Sequence, residues 1–244
     1  MKLRLRYAKL GKVRFTSSRD TARIWERALR RVTLPVALSE GFTPRPKISF
    51  GLALPTGAES IAEYVDIDLR PDVRAEDLDV DTLPARLSEA LPVGFDVLVA
   101  AVRTDGKGSL QDSVTACTWE FWAPQLTAED HVRASELLSA ETLVLERERK
   151  GKRSVDDLRP MILATRPDGA RLIAELATVG RAVRPAELAE LAYPGHDARD
   201  VRALRTHQWI DGPDGRREVL PRPADTLQLA VAGPAGTPHE GVPA

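Results

Sequence analysis

The order in which two hydrophobic periodicities alternate along residues 2–104 constrains this chain more than any other feature. Residues 2–8 put Leu3, Leu5 and Tyr7 on one side and Lys2, Arg4 and Arg6 on the other, the period of two of a strand with one basic face. Ser17 or Ser18 then offers a capping oxygen to a helix over about 19–32, whose inward stripe reads Ile24, Ala28, Leu29 and Val32. A short strand at 34–41, strands at 47–54 and 62–69, a helix over 75–90 broken or begun at Pro84, and a strand at 95–104 complete the order βαββαβ, allowing for a broken second strand. That order predicts an α+β chain whose first unit, 1–104, is a ferredoxin-like split βαβ arrangement.

Asp105-Gly106-Lys107-Gly108-Ser109 marks the boundary, within a linker expected over 105–112. A second α+β domain is expected over 113–210: a strand at 113–122, a helix at 127–139, a strand at 142–149 and a basic turn at Lys150–Arg153. A short helical piece at 154–159 follows, then a hairpin, 161–166 and 170–177, turned at Pro167-Asp168-Gly169, and helices at 185–193 and 197–206. This half reads as a second, divergent ferredoxin-like unit. Residues 211–244, rich in Pro and Gly, read as a mostly disordered tail with one strand at 226–231.

The net charge of −1 conceals a division. Residues 1–50 carry 13 Lys and Arg against 3 Asp and Glu, and residues 51–100 carry 3 against 11. The first segment is therefore concentratedly cationic, the footprint of a nucleic-acid or acidic-protein partner. One cysteine, Cys117, excludes an internal disulfide and a four-thiolate metal site; it reads as a buried, inert thiol. The four histidines lack metal-ligand spacing, with His131 read as a surface helix residue, so neither metal nor cofactor is expected. No apolar run is long enough to span a membrane, and the basic start lacks the apolar core of a secretory signal, which points to the cytosol.

The chemistry concentrates at 12–64. Arg23, Arg27 and Arg30 share one side of the first helix, with Arg31 beside them. Ser39-Glu40-Gly41-Phe42-Thr43-Pro44-Arg45-Pro46-Lys47 is a proline-stiffened loop bearing two cations. Guanidinium forks suit phosphate oxygens and exposed aromatic rings stack on unpaired bases. Arg23, Arg27, Arg30, Arg45 and Lys47 are thus expected on phosphates and Phe42 on a base. Gly41 would allow close backbone approach, and Ser39 would set the loop by hydrogen bonding. Ser17 and Asp20 read as helix-start groups, with Asp20 also able to orient Arg14 or Arg23. The alternatives are a metal-independent endoribonuclease using Asp20, Ser17 or Tyr64, and a protein adaptor. The basic face could also dock the acidic stretch Glu76–Asp81.

Lys12-x-Arg14-Phe15-x-Ser17-x-x-Asp20 with Arg23-x-x-x-Arg27-Ala28-x-Arg30-Arg31 forms one block. Ser39-x-Gly41-Phe42-Thr43-Pro44-x-Pro46-Lys47-Ile48-Ser49-Phe50 forms a second, and Leu54-Pro55-x-Gly57 with Ser60 and Glu63-Tyr64 a third. Together they resemble the bacterial radical-SAM-linked protein family, a domain of unknown function, strongly over 2–104 and more weakly to about 210. The resemblance implies partnership with a radical-SAM protein, whose cluster needs three thiolates of its own chain. Relatives' genes beside a ribonuclease gene imply a link to RNA. Many members have His where Ser18 and Arg45 stand here. The resemblance therefore implies an RNA-binding accessory protein working with a radical-SAM enzyme, with Arg14, Ser17, Asp20 and Arg31 completing its site.

Overall fold

The computed structural model describes residues 1–103, 109–149 and 151–220. Strands β1 (Lys2–Lys9), β2 (Ile48–Phe50), β3 (Glu59–Asp68) and β4 (Phe95–Arg103) and helices α1 (Ser18–Arg31) and α2 (Leu83–Ala90) form the first half. The second half holds α3 (Leu110–Ser113), β5 (Ala116–Trp122), α4 (Ala128–Leu137), β6 (Val144–Arg149), β7 (Lys152–Asp157), β8 (Ile162–Asp168), β9 (Arg171–Ala177), α5 (Pro185–Ala192), β10 (Arg202–Gly212) and β11 (Gly215–Glu218). The chain is an α+β protein with a mixed nine-stranded sheet, ordered β4-β1-β3-β10-β5-β9-β8, with β2 paired to β3 and β11 to β10. Strands β6 and β7 make a separate hairpin.

Each half has its own core. In the first, Leu3, Leu5 and Tyr7 pack with Val65, Ile67, Phe95 and Val97 under Trp25, Ala28, Leu29, Leu83 and Leu87 of the helices. In the second, the alternation of Cys117, Trp119 and Phe121 along β5 meets Leu172, Ala174 and Leu176 of β9 under α4 and α5. The halves meet where the start of β3 runs parallel to β10, Glu59 opposite Leu204 and Ser60 opposite Arg205. The remainder of β3 pairs with β2, Ile67 opposite Ile48 and Val65 opposite Phe50.

Arg6 locks this junction. It is wholly buried, and its guanidinium donates to the carbonyls of Ile61 (3.0 Å), Thr206 (3.1 Å) and Leu220 (2.8 Å) and to Glu218 (3.1 Å). Arg4 is also buried, gripping Asp66 through Nε at 2.7 Å and Nη2 at 2.8 Å, and Lys2 pairs with Asp68 at 3.0 Å. The basic face read on β1 is thus an internal, neutralised one and not a solvent-facing surface.

Several expected elements differ. Residues 34–41 make only the bridges Val36–Leu69 and Leu38–Pro46, because the prolines at 35, 44 and 46 withhold ladder donors. The strand at 47–54 stops at Phe50, where Gly51 runs so close to α3 that an added Cβ would sit 3.0 Å from Leu110. The helix at 75–90 is one 3-10 turn, Ala75–Asp77, then α2, with Pro84 in its first turn. The helical piece at 154–159 is β7, folded back on β6 through Gly151 at φ +72°.

Of the helix expected at 197–206, residues 197–201 are turn and residues 202–206 are the start of β10, a strand central to the sheet. Burial of Ala203, Leu204, Arg205 and Thr206 on both faces removes the alternation that would announce a strand. Residues 211–218, read as tail, complete the β10–β11 hairpin, while residues 221–244 and the strand expected at 226–231 lie outside the described residues. Within the expected linker, 105–108 lie outside the described residues, as does residue 104, and Leu110 is buried in the second core. His131 is not a surface residue: it is fully buried, with Nδ1 2.8 Å from the Tyr193 hydroxyl. Among the described residues no helix is long and apolar enough to cross a membrane.

Replacing Arg6 by Met should cost about 3–5 kcal/mol in urea unfolding, the scale of stranding a buried ionic partner. Burial holds the His131 imidazole below its ordinary value of 6.5. The unfolded chain then binds more protons than the folded one, so this contribution is complete above pH 6.5 and is lost as the pH falls below it. Unfolding curves at stepped pH should show that decline, and His131→Gln should flatten it.

Candidate functional site

The predicted residues divide between the two ends of α1, a helix of 14 residues and so about 21 Å long. At its start, Ser17 is the N-cap, accepting from the Asp20 amide at 3.1 Å and donating to the Asp20 carboxylate at 2.7 Å. Asp20 also reaches Arg23 at 3.5 Å. Arg14 lies elsewhere: it donates to the Gly11 carbonyl at 3.1 Å and stacks 4.3 Å above the ring of Phe15, an exposed aromatic. Ser17 and Asp20 are therefore occupied in setting the helix start. Tyr64 is buried, and burial pushes its hydroxyl up to about 12. Buried and with its hydroxyl pushed up, Tyr64 lacks the setting of a general base.

The other end carries the cationic surface. Arg27 and Arg30 are exposed one turn apart, Arg30 reaching Glu26 at 3.7 Å. Arg31 turns away to the Ala90 carbonyl at the end of α2, 3.2 Å distant. Opposite Arg30 stands the 39–47 loop. The Ser39 amide donates to the Arg45 carbonyl at 2.8 Å, and the Arg45 amide donates to Ser39 Oγ at 3.0 Å. Lys47 returns the chain to register, its amide bonding Ala37 at 2.8 Å.

Gly41 sits at φ +117°, a conformation that favours glycine, so the loop can present Phe42 fully exposed at its tip. Between α1 and the Pro44–Pro46 limb lies a cleft of about 780 Å³, lined by Arg30 and by Arg70, which pairs with Asp72 at 3.3 Å, together with Leu34, Leu38 and Pro46. Among the described residues Arg27, Arg45 and Lys47 make no ion pair. The acidic stretch does not dock here: Glu76 pairs with Arg74 at 3.2 Å and Asp79 accepts from Thr82 at 2.6 Å.

A second constellation escaped the sequence reading. Lys9 and Glu63 are buried beside Tyr7 and Thr21, and Arg205 of β10 reaches Glu63 through Nε at 3.1 Å and the Leu52 carbonyl at 2.9 Å. Burial lowers Lys9 from the ordinary lysine range, with the Glu63 charge opposing. One signal was present: Lys9 follows Leu3, Leu5 and Tyr7 at even spacing, so it falls on the inward face of β1. Arg205 carried no such signal, because its partner lies 142 positions away. Cys117 is buried near Arg205, and burial pushes its thiol up to about 11, as expected of an inert cysteine. Among the described residues no group of three or more His, Cys, Asp or Glu is placed to hold a metal ion.

The family model described as an uncharacterized protein conserved in bacteria, DUF2344, matches residues 2–186, three quarters of the chain. The chain belongs to the DUF2344 family. That match takes in both constellations except Arg205, and all of the 39–47 loop. No curated protein matches the sequence.

For this DUF2344 chain the helix start is a structural cap. Ser17→Ala should lower stability by about 1 kcal/mol, read as a fall in Tm. It should leave the loop around Phe42 unaltered in amide chemical shifts.

Proposed function

We propose that this chain is an RNA-binding accessory protein that works with a radical-SAM enzyme in RNA modification or processing. One observation carries the reading. Arg27, Arg45 and Lys47 are exposed and unpaired among the described residues, and Phe42 stands fully exposed on the same loop as two of them. An unpaired guanidinium or ammonium in water keeps its donors for phosphate, and an exposed ring on a stiff loop is a stacking platform. The neighbouring cleft, lined by Arg30 and Arg70 together with apolar side chains, suits a strand that offers both phosphates and bases.

In this reading residues 1–104 and 113–210 are two ferredoxin-like units in tandem. The strand orders β4-β1-β3-β2 and β10-β5-β9-β8 support it, since each puts its first and third strands at the centre. The partnership with a radical-SAM protein rests on the motif resemblance of residues 12–64 and is read by co-purification from the native host.

Gel shift with single-stranded RNA over a series of salt concentrations tests the binding. The affinity should fall with salt. In Arg27→Ala/Arg45→Ala/Lys47→Ala the slope of log K against log salt should drop by about 2, at roughly 0.7 for each phosphate that is no longer neutralised. Phe42→Ala should cost about 1–3 kcal/mol with the slope unchanged. Salt-independent binding, or equal binding by the triple variant, would reject the reading.

A further inference from the structure

A cavity at the start of α1 is left unused by phosphate binding. It measures about 110 Å³ and lies between β1, the first turn of α1 and the chain leaving β2. Its wall divides by chemistry. Phe50, Leu52 and Leu54 supply apolar lining, and Lys9, Thr21 and Glu63, with Tyr7, supply polar groups.

The polar groups there have bonding capacity to spare. Lys9, only 4% exposed, makes no ion pair among the described residues. Its ammonium donates to the Thr16 carbonyl at 2.7 Å, which leaves two N–H groups. Thr21, 5% exposed, has a buried hydroxyl with no hydrogen-bond partner. Glu63 takes both Arg205 contacts on Oε1, so Oε2 remains an acceptor. A buried hydroxyl without a partner lowers stability, and its retention in a cavity wall beside a buried amine points to a ligand.

We infer that this cavity receives one splayed-out pyrimidine base of a bound RNA strand, an inference that rests on the RNA-binding reading above. Size argues against a purine: the cavity is smaller than the one of about 150 Å³ that holds benzene, so a single six-membered ring enters it only in part, edge first. Chemistry favours a base over a simple anion. An anion would use Lys9 and Thr21 but would leave Phe50, Leu52 and Leu54 facing a charge. A pyrimidine sets its ring faces against those side chains and turns an edge of mixed donors and acceptors toward Lys9, Thr21 and Glu63. Ser18, which also lines the cavity, is exposed at the first turn of α1, the helix that carries Arg23, Arg27 and Arg30 further along.

Fluorescence anisotropy of the full chain with short oligo(U), oligo(C) and oligo(A) strands tests this. The wild type should prefer a pyrimidine strand over oligo(A) by about tenfold, the scale of one good base contact. Thr21→Val keeps the volume and removes the hydroxyl, and Lys9→Met removes the amine; each should bring pyrimidine strands to the oligo(A) level. Equal affinity of the wild type for all three strands would overturn the inference, as would a preference that survives both variants. If the wild type binds no RNA at any salt, the phosphate-binding reading has failed, and free uridine and cytidine then interrogate the cavity alone. A rise in Tm with either nucleoside, absent with adenosine and abolished in Thr21→Val, supports the cavity; no rise rejects it.

Discussion

A guanidinium out of reach of water, that of Arg6, is the contact on which the rest of the architecture depends. It leaves β1 of the first half and ends among carbonyls of β3 and β10 and the carboxylate of β11. The backbone ladder between the halves is short, so side chains supply most of the join. Arg205 crosses in the opposite direction, from β10 to Glu63, and Arg202 pairs with Glu59 at the start of β3. Buried ion pairs of this kind contribute modestly to net stability but heavily to which surfaces meet. A wrong register would strand a charge in the interior.

This arrangement reassigns the charge asymmetry of the first hundred residues. Part of the cationic excess never faces a partner. Lys2 and Arg4 are answered by Asp68 and Asp66, acidic residues of the segment that follows. Arg6 is answered from the far end of the described chain. What remains exposed is concentrated on α1 and the Gly41–Lys47 loop. A count of net charge along the sequence therefore overstates the cationic surface but still finds its location.

Legibility tracked the exposure of each element. Strands with one solvated face, such as β5, and helices with a clear stripe and cap, such as α1 and α4, were readable because burial and polarity alternate in them. Strand β10 was not, since neighbours on both sides and cover on both faces leave Arg205 and Gln208 buried within it. Composition alone could not distinguish that from an amphipathic helix. The stiff loop around Gly41–Pro46 was legible in outline, because prolines and a positive-φ glycine act locally. The Lys9–Glu63–Arg205 constellation was not, because it is assembled across the seam between the halves. Trp25 and Thr21, inside α1, were missed for a simpler reason: a tryptophan and a threonine were outranked by aliphatic neighbours in defining the buried stripe.

The Pro44–Pro46 limb has a kinetic consequence. Two fixed proline φ angles and the paired Ser39–Arg45 bonds remove most of the freedom this segment would otherwise give up on meeting a partner. Little ordering is left for an encounter, so association of the proposed partner at this surface would be rigid-body docking limited by orientation and guided by long-range attraction. Ionic strength would then act chiefly on how quickly that partner arrives, while the lifetime of the complex would be set by the short-range fit around Phe42.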